Sequence, residues 1–255
     1  MPDNVYDSSP LLAQYLLFHY GPEHLAMPWD FGPREALGFP VRCVTECVDA
    51  ASLPEEARAL DAGCAVGRST LELSRVCREA VGIDYSHTFI VAASTLCRDG
   101  ELHFEAPECG LITTPAVARL PEGLDLSRVR FRREDAERLP EDLGVFDVVL
   151  AANLLCRLPH PDRFLGRLPS LMRPGGQLVI TTPHTWSEDF TAPSFWIGGT
   201  PESGAPLDAL NRRLHPHFDL VETKDLSFCI REHARKFQWS VAQASVWRRR
   251  ETPAP

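Results

Sequence analysis

The segment ALDAGCAVGRST at 59–70 restricts this chain more than any other stretch. A short apolar run ends in Asp61, turns through Gly63-Cys64-Ala65-Val66-Gly67 and enters residues suited to the start of a helix. Glycines in such a turn let the backbone approach a ligand closely, and the helix behind it offers free amides. Seventeen residues after Gly67, Asp84 ends the next apolar run, in VGIDYS. In a doubly wound sheet that position overlooks the crevice, where a carboxylate accepts both hydroxyls of a ribose. Together the two features predict a nucleoside-binding α/β domain; either alone would say little.

Between residues 57 and 182 short apolar runs alternate with loops and helical stretches, which predicts a parallel sheet with helices on both faces. Strands are expected at 57–61, 80–84, 129–133, 146–151 and 177–182, with two more at 218–228 and 236–247. The Gly-, Pro- and Thr-rich insertion at 100–123 reads as a hairpin, and the aromatic, turn-rich stretch at 184–206 as a functional loop. Ahead of the sheet, Ser8, Ser9 and Pro10 open a helix that Gly21-Pro22 stops, with Leu11, Tyr15 and Phe18 along one stripe. Further helices are expected over 41–52 and 207–214, and RRR at 248–250 reads as a solvated end before a frayed tail. No repeat or linker divides the chain. We therefore expect one domain over 1–255, with a helical cover at 1–55, a ligand-binding core at 57–183 and a substrate-side loop and strands at 184–248.

Composition removes several function classes. Acidic residues number 35 against 26 basic ones, a net charge of −9, which argues against a surface built for nucleic acid. No uncharged apolar run approaches the roughly 18 residues a membrane span requires. The first ten residues lack the basic and then apolar pattern of a secretory signal, so a soluble cytoplasmic protein without a membrane partner is expected. The eight cysteines include no C-x-x-C pair and read as free thiols. His215-Pro216-His217 lacks a third ligand nearby, so no metal site is expected.

The choice of nucleoside turns on the glycines. A dinucleotide fingerprint is G-x-G-x-x-G, whereas this loop has G-x-x-x-G with Ala65 at its centre. It resembles the glycine loop of class I methyltransferases that use S-adenosylmethionine, acidic-x-G-x-G-x-G, with alanine for the middle glycine. Asp135-Ala136 in RREDAERLP resembles the position that reads the adenine amino group, Asn153-Leu154 after FDVVLA stands where such enzymes line the transfer cleft, and RPGGQLVITTP at 173–183 resembles the glycine turn into the fifth strand. The resemblance implies a Rossmann-like fold: a mostly parallel seven-stranded sheet with an antiparallel last strand, helices on both faces and an N-terminal helical cover. It also implies S-adenosyl-L-methionine as cofactor and S-adenosyl-L-homocysteine as product. Asp61, Gly63, Cys64, Ala65 and Gly67 would shape the methionine pocket, Asp84 with Tyr85 and Ser86 the ribose site, Asp135 and Ala136 the adenine site, and Asn153 and Leu154 the cleft wall.

The flanking blocks look like a narrower family. YDSSPLLAQYLLFHYG at 6–21, DAGCAVGRS at 61–69, LAANLLCRLP at 150–159, TTPHTW at 181–186 and REHARKFQWSVAQASVW at 231–247 resemble the 4-mercaptohistidine N1-methyltransferases, which complete ovothiol biosynthesis. That resemblance implies a small zwitterionic substrate with an amino-acid head, an imidazole ring and a ring thiol, delivered by a separate nonhaem-iron sulfoxide synthase. A neutral imidazole, with a pKa of about 6.5, already offers a lone pair if its proton is held on the other nitrogen, so no strong base is demanded. Tyr20, Asn153 and His184 are the catalytic candidates; His19, Tyr20, His184, Trp186, Arg235 and Lys236 are the substrate-binding candidates, the arginine because its fork grips a carboxylate bidentately. Phe237 and Trp239 share one strand face and read as core. Methylation of another small thiol or imidazole, or a noncatalytic cofactor-binding role beside the sulfoxide synthase, remains open.

Overall fold

The structure, a computed structural model, describes residues 5–252; readings that fall on residues 1–4 and 253–255 lie outside it. Nine strands follow in chain order: β1 (Arg58–Ala62), β2 (Glu79–Asp84), β3 (Glu101–Cys109), β4 (Ile112–Arg119), β5 (Val129–Arg133), β6 (Phe146–Ala152), β7 (Met172–Thr182), β8 (Phe218–His233) and β9 (Lys236–Arg249). Seven form one sheet in the order β5-β2-β1-β6-β7-β9-β8. The first five of these are mutually parallel, and β9 runs antiparallel to both its neighbours. This is a Rossmann-like architecture, with the antiparallel final strand that the sequence predicted.

Helices α1 (Ser9–Tyr20), α2 (Glu23–Ala26), α3 (Phe39–Thr45), α4 (Arg68–Leu73), α5 (His87–Asp99), α6 (Pro161–Leu171) and α7 (Pro206–Leu214) surround the sheet. Alternation along the strands splits the core in two. Leu60, Phe146, Phe164, Leu178 and Trp247 pack on one face, and Ala59, Leu73, Val148, Val179 and Phe228 on the other. Strands covered on both faces must be apolar at nearly every position, which is why β6 is apolar at every position but Asp147. From β1 the chain works outward through β2 to β5, then returns to lay β6 on the opposite side of β1. The carboxyl ends of β1 and β6 therefore flank the topological switch point, where a crevice opens.

Three expectations change and one, the hairpin, gains detail. The helix expected over 41–52 is α3 alone, followed by a separate 3₁₀ turn at Ala50–Ser52. The insertion at 100–123 is a hairpin, but β3 and β4 form their own two-stranded sheet, and Leu102, Phe104 and Ala118 pack with Leu16, Val66 and Phe89. The stripe of α1 most deeply buried is Ala13, Leu16 and Leu17, while Tyr15 and Phe18 face a cavity. Finally, Arg248 and Arg249 extend β9, and Arg250 pairs with Asp219 at 2.7 Å, so RRR is anchored rather than loose. All eight cysteines are free thiols, six of them buried. Among the described residues no helix is long and apolar enough to cross a membrane, and no cluster of three His, Cys, Asp or Glu could hold a metal.

Candidate active site

A cavity of about 570 Å³ opens at the carboxyl ends of β1, β2 and β6, within the size range of small-molecule sites. Its floor is the glycine loop. Gly63 (φ +73°), Ala65 (φ +48°) and Gly67 (φ +88°) are all left-handed, so the chain doubles back tightly between β1 and α4. A Cβ on Gly63 would stand 2.9 Å from Leu154 Cδ1, and one on Gly67 would enter the Phe131 ring. The amides of Gly63 and Cys64 both donate to the Ile83 carbonyl, at 2.8 and 2.9 Å, which ties the loop to the end of β2.

Asp84 completes that tie. Its Oδ2 accepts from the Ala65 amide at 2.9 Å and its Oδ1 from the Ser86 amide at 2.8 Å. Burial raises its pKa above the ordinary carboxylate value, and these amides pull it back down. The carboxylate lines the cavity with Tyr85, while Ser86 is buried and caps α5 by accepting from Phe89 N. Asp61, by contrast, lies wholly under the loop: Oδ2 accepts from Thr70 Oγ1 at 2.7 Å, Oδ1 is buried without a partner, and desolvation pushes the pKa up to about 6. Asp61 therefore shapes the turn from beneath and does not line the cavity.

Across from Asp84, Asp135 Oδ1 accepts from the Glu137 amide at 2.9 Å and Ala136 packs at the cavity wall. Asn153 is left-handed (φ +54°); its amide donates to the Thr181 carbonyl at 2.8 Å and its Oδ1 accepts from Thr181 Oγ1 at 3.1 Å. Among the described residues the only non-glycine residues with positive φ are Ala65, Asn153 and His184. They follow β1, β6 and β7, so backbone strain collects at the carboxyl edge of the sheet, as it does at functional sites.

The N-terminal segment roofs the cavity. Tyr6, Tyr15, Phe18 and His19 line it from above, and Asp7 latches the segment down by accepting from Ser86 Oγ at 2.7 Å and Thr88 N at 3.1 Å. Desolvation lowers the His19 pKa to about 3, helped by the charge of Arg68, so the ring is neutral at physiological pH; its Nδ1 is buried without a partner. Phe190 and Asp189 enter from the loop after β7.

The remaining sequence candidates go elsewhere. Tyr20 does not face the cavity, because its hydroxyl donates to the Val66 carbonyl at 2.8 Å and its ring lies under Arg68. His184 turns toward β9, with Nε2 3.2 Å from Gln243 Oε1, and burial lowers its pKa. Trp186 stacks on Trp196 at 6.3 Å and packs on the core. Arg235 and Lys236 lie at the tip of the β8–β9 hairpin, Arg235 over the Trp29 ring and Lys236 paired with Glu232 at 2.7 Å. The long hairpin carries them past the sheet edge. Trp239 is 54% exposed rather than core, while Phe237 packs near Met27. What the sequence reading missed is Arg157, which lines the cavity two residues beyond the LAANLL run, and Phe190 beside it.

The residues at the cavity fit an adenosyl sulfonium. An acid stands at the end of β2, a glycine floor leaves no side chain in the way, and Asp84, Glu134, Asp135, Glu137 and Asp189 give the walls a negative field suited to a cation.

Comparison with known proteins agrees. Residues 60–180 match the family model described as a methyltransferase domain. The chain is similar to a ubiquinone biosynthesis O-methyltransferase of Xanthomonas axonopodis pv. citri (strain 306), with 30% identity over 158 residues, 60% of this chain and 55% of that one. It spans about half the length of the curated relatives it matches. Among solved structures, the N-methyltransferase NodS of Bradyrhizobium japonicum WM9 in complex with S-adenosyl-L-homocysteine aligns with a TM-score of 0.53 at 14% identity, over 94% of this chain and 99% of that one. The [4+2]-cyclase SpnF aligns with a TM-score of 0.57 at 18% identity over 98% of both. At these identities the likeness is one of fold.

Proposed function

We propose that the chain is a class I S-adenosylmethionine-dependent methyltransferase and that it methylates a side-chain nitrogen of 4-mercaptohistidine, yielding ovothiol and S-adenosyl-L-homocysteine. One observation carries this reading. Two blocks that resemble the mercaptohistidine methyltransferases, 6–21 and 150–159, stand far apart in the chain, yet both line the cavity floored by the glycine loop. The blocks at 181–186 and 231–247 support the fold around it instead.

Asp84 would hold the ribose, Ala136 and Asp135 would border the adenine, and the turn from Gly63 to Gly67 would seat the methionine end. When bound, the cofactor supplies a methyl group made electrophilic by a positive sulfur. The chain's own task is then positioning. Tyr6, Tyr15, Phe18 and Phe190 exclude water from the cavity, so a neutral ring nitrogen is presented with its lone pair unsolvated. Neutral His19 can hydrogen-bond a ring N–H without adding charge beside the sulfonium. No strong base is required, since the methylated ring sheds its proton near neutral pH. We take the whole chain as one catalytic unit working in the cytoplasm, with a separate sulfoxide synthase supplying its substrate.

Purified protein incubated with S-adenosylmethionine and thiolated or plain histidine tests the proposal, the product being located by mass spectrometry and NMR. The expected result is a methyl on the ring nitrogen of the thiolated substrate. Turnover confined to another small thiol or imidazole would replace the substrate assignment. Cofactor binding with no turnover of any of these compounds would leave a noncatalytic partner of the synthase.

A further inference from the structure

The charges around the cavity are unbalanced. Five carboxylates line it, and among the described lining residues Arg157 is the only arginine or lysine. That guanidinium makes no ion pair with an acidic side chain of the described residues. It is half-buried and held by neutral groups: Nη1 donates to the carbonyls of Cys156 and Thr185, both at 3.3 Å, the fork hydrogen-bonds the Tyr6 phenol, and its carbon sits 4.7 Å from the centre of the Phe190 ring. Two carbonyls and a phenol use three of the five donors an arginine carries, and so leave donors over. The contacts come from the loops after β6 and β7 and from the N-terminal segment, so the plane of the fork is set before any ligand arrives, which reduces the ordering cost of binding.

We infer that Arg157 binds the α-carboxylate of an amino-acid substrate. This rests on the reading of the cavity as a site for such a substrate. An anionic head entering among five carboxylates has one cation to meet, and the half-buried fork keeps donors free for a charge-assisted, bidentate bond to it. Arg235 and Lys236 cannot serve, since the hairpin holds them away from the cavity.

The test titrates 4-mercaptohistidine and its decarboxylated amine, in parallel, into the full chain loaded with S-adenosyl-L-homocysteine. Wild type, Arg157→Gln and Arg157→Lys are compared by calorimetry, with thermal melts to verify folding. Arg157→Gln is expected to weaken 4-mercaptohistidine roughly 10- to 100-fold while the amine and the nucleoside stay within about twofold, with Arg157→Lys intermediate. Equal weakening of acid and amine overturns the inference. So does a loss of nucleoside affinity in the folded lysine variant, which would assign the guanidinium to the cofactor's own carboxylate. If wild type binds a different α-amino acid instead, the thiohistidine reading fails, and the same acid-against-amine comparison with that compound decides Arg157. If wild type binds no α-amino acid, both fail.

Discussion

The amide of Ala65 donates to Asp84 Oδ2 at 2.9 Å, so the centre of the glycine loop and the acid ending β2 form one hydrogen-bonded unit. Ala65 thus has its left-handed backbone (φ +48°) held in place by the same carboxylate that lines the cavity. On the proposed reading of Asp84 as the ribose acceptor, loop shape and sugar recognition are coupled here.

Replacing Asp84 removes both roles. Asp84→Ala is expected to weaken S-adenosyl-L-homocysteine binding by about 1–3 kcal/mol, the range for charge-assisted hydrogen bonds, and to lower the melting temperature because the Ala65 and Ser86 amides lose their acceptor. Calorimetric titration and a thermal melt measure the two effects. Unchanged affinity would remove Asp84 from the sugar site.

Two glycines separate strain from crowding. Gly67→Ala puts a Cβ into the Phe131 ring at φ +88°, whereas Gly110→Ala at φ +59° meets nothing within 4 Å. Both pay the left-handed penalty of about 1 kcal/mol, and only Gly67→Ala adds overpacking of about 1–3 kcal/mol. Urea midpoints should rank them in that order.

Acid sensitivity follows from His19. Its pKa falls from 6.5 to about 3 on folding, so below pH 6.5 the unfolded chain binds a proton that the folded chain refuses. The stability contribution is complete above pH 6.5 and declines as pH falls, by about 2 kcal/mol between pH 6.5 and 5. Asp61, raised to about 6, acts in the opposite sense: folding is penalised once its carboxyl ionises, so its contribution falls as pH rises from 3.8 to 6. Comparing wild type with His19→Gln isolates the histidine, and the variant should lose less stability between pH 7 and 5. Parallel urea curves at the two pH values check this.

Tyr20 tests the boundary between holding and catalysing. Its hydroxyl donates to the Val66 carbonyl, so Tyr20→Phe should cost about 0.5–1.5 kcal/mol of stability and leave kcat within a few-fold of wild type. A drop in kcat of two orders of magnitude, with folding intact, would return Tyr20 to the chemistry.

Much of the glycine-loop end of the cavity was legible beforehand because it is local. A strand, a glycine turn and a helix lie consecutively in sequence, and Asp84 is one strand further on, so spacing alone brings them together. The substrate end was not, because it is assembled across the fold. REHARK looked like an anion site by composition, yet a two-residue turn at Ala234-Arg235 makes it a hairpin tip, with Arg231 buried against Glu108 at 2.7 Å. Arg157 lies inside the LAANLLCRLP block, but nothing in that local sequence assigned it a role apart from the other arginines. Only its position, half-buried between two loops and the N-terminal segment, sets it apart.

From the amino-acid order alone follow the alternation of strands and helices, the glycine turn after β1 and the acid at the end of β2, since each depends on neighbours within one βαβ unit. Tertiary structure alone decides that Asp61 lies beneath the loop rather than in the cavity, that His184 turns to β9 and Trp186 to the core, and that a single arginine shares the cavity wall with five carboxylates. Side-chain direction at a loop depends on which distant elements have already filled the space around it, and packing across the whole chain determines that.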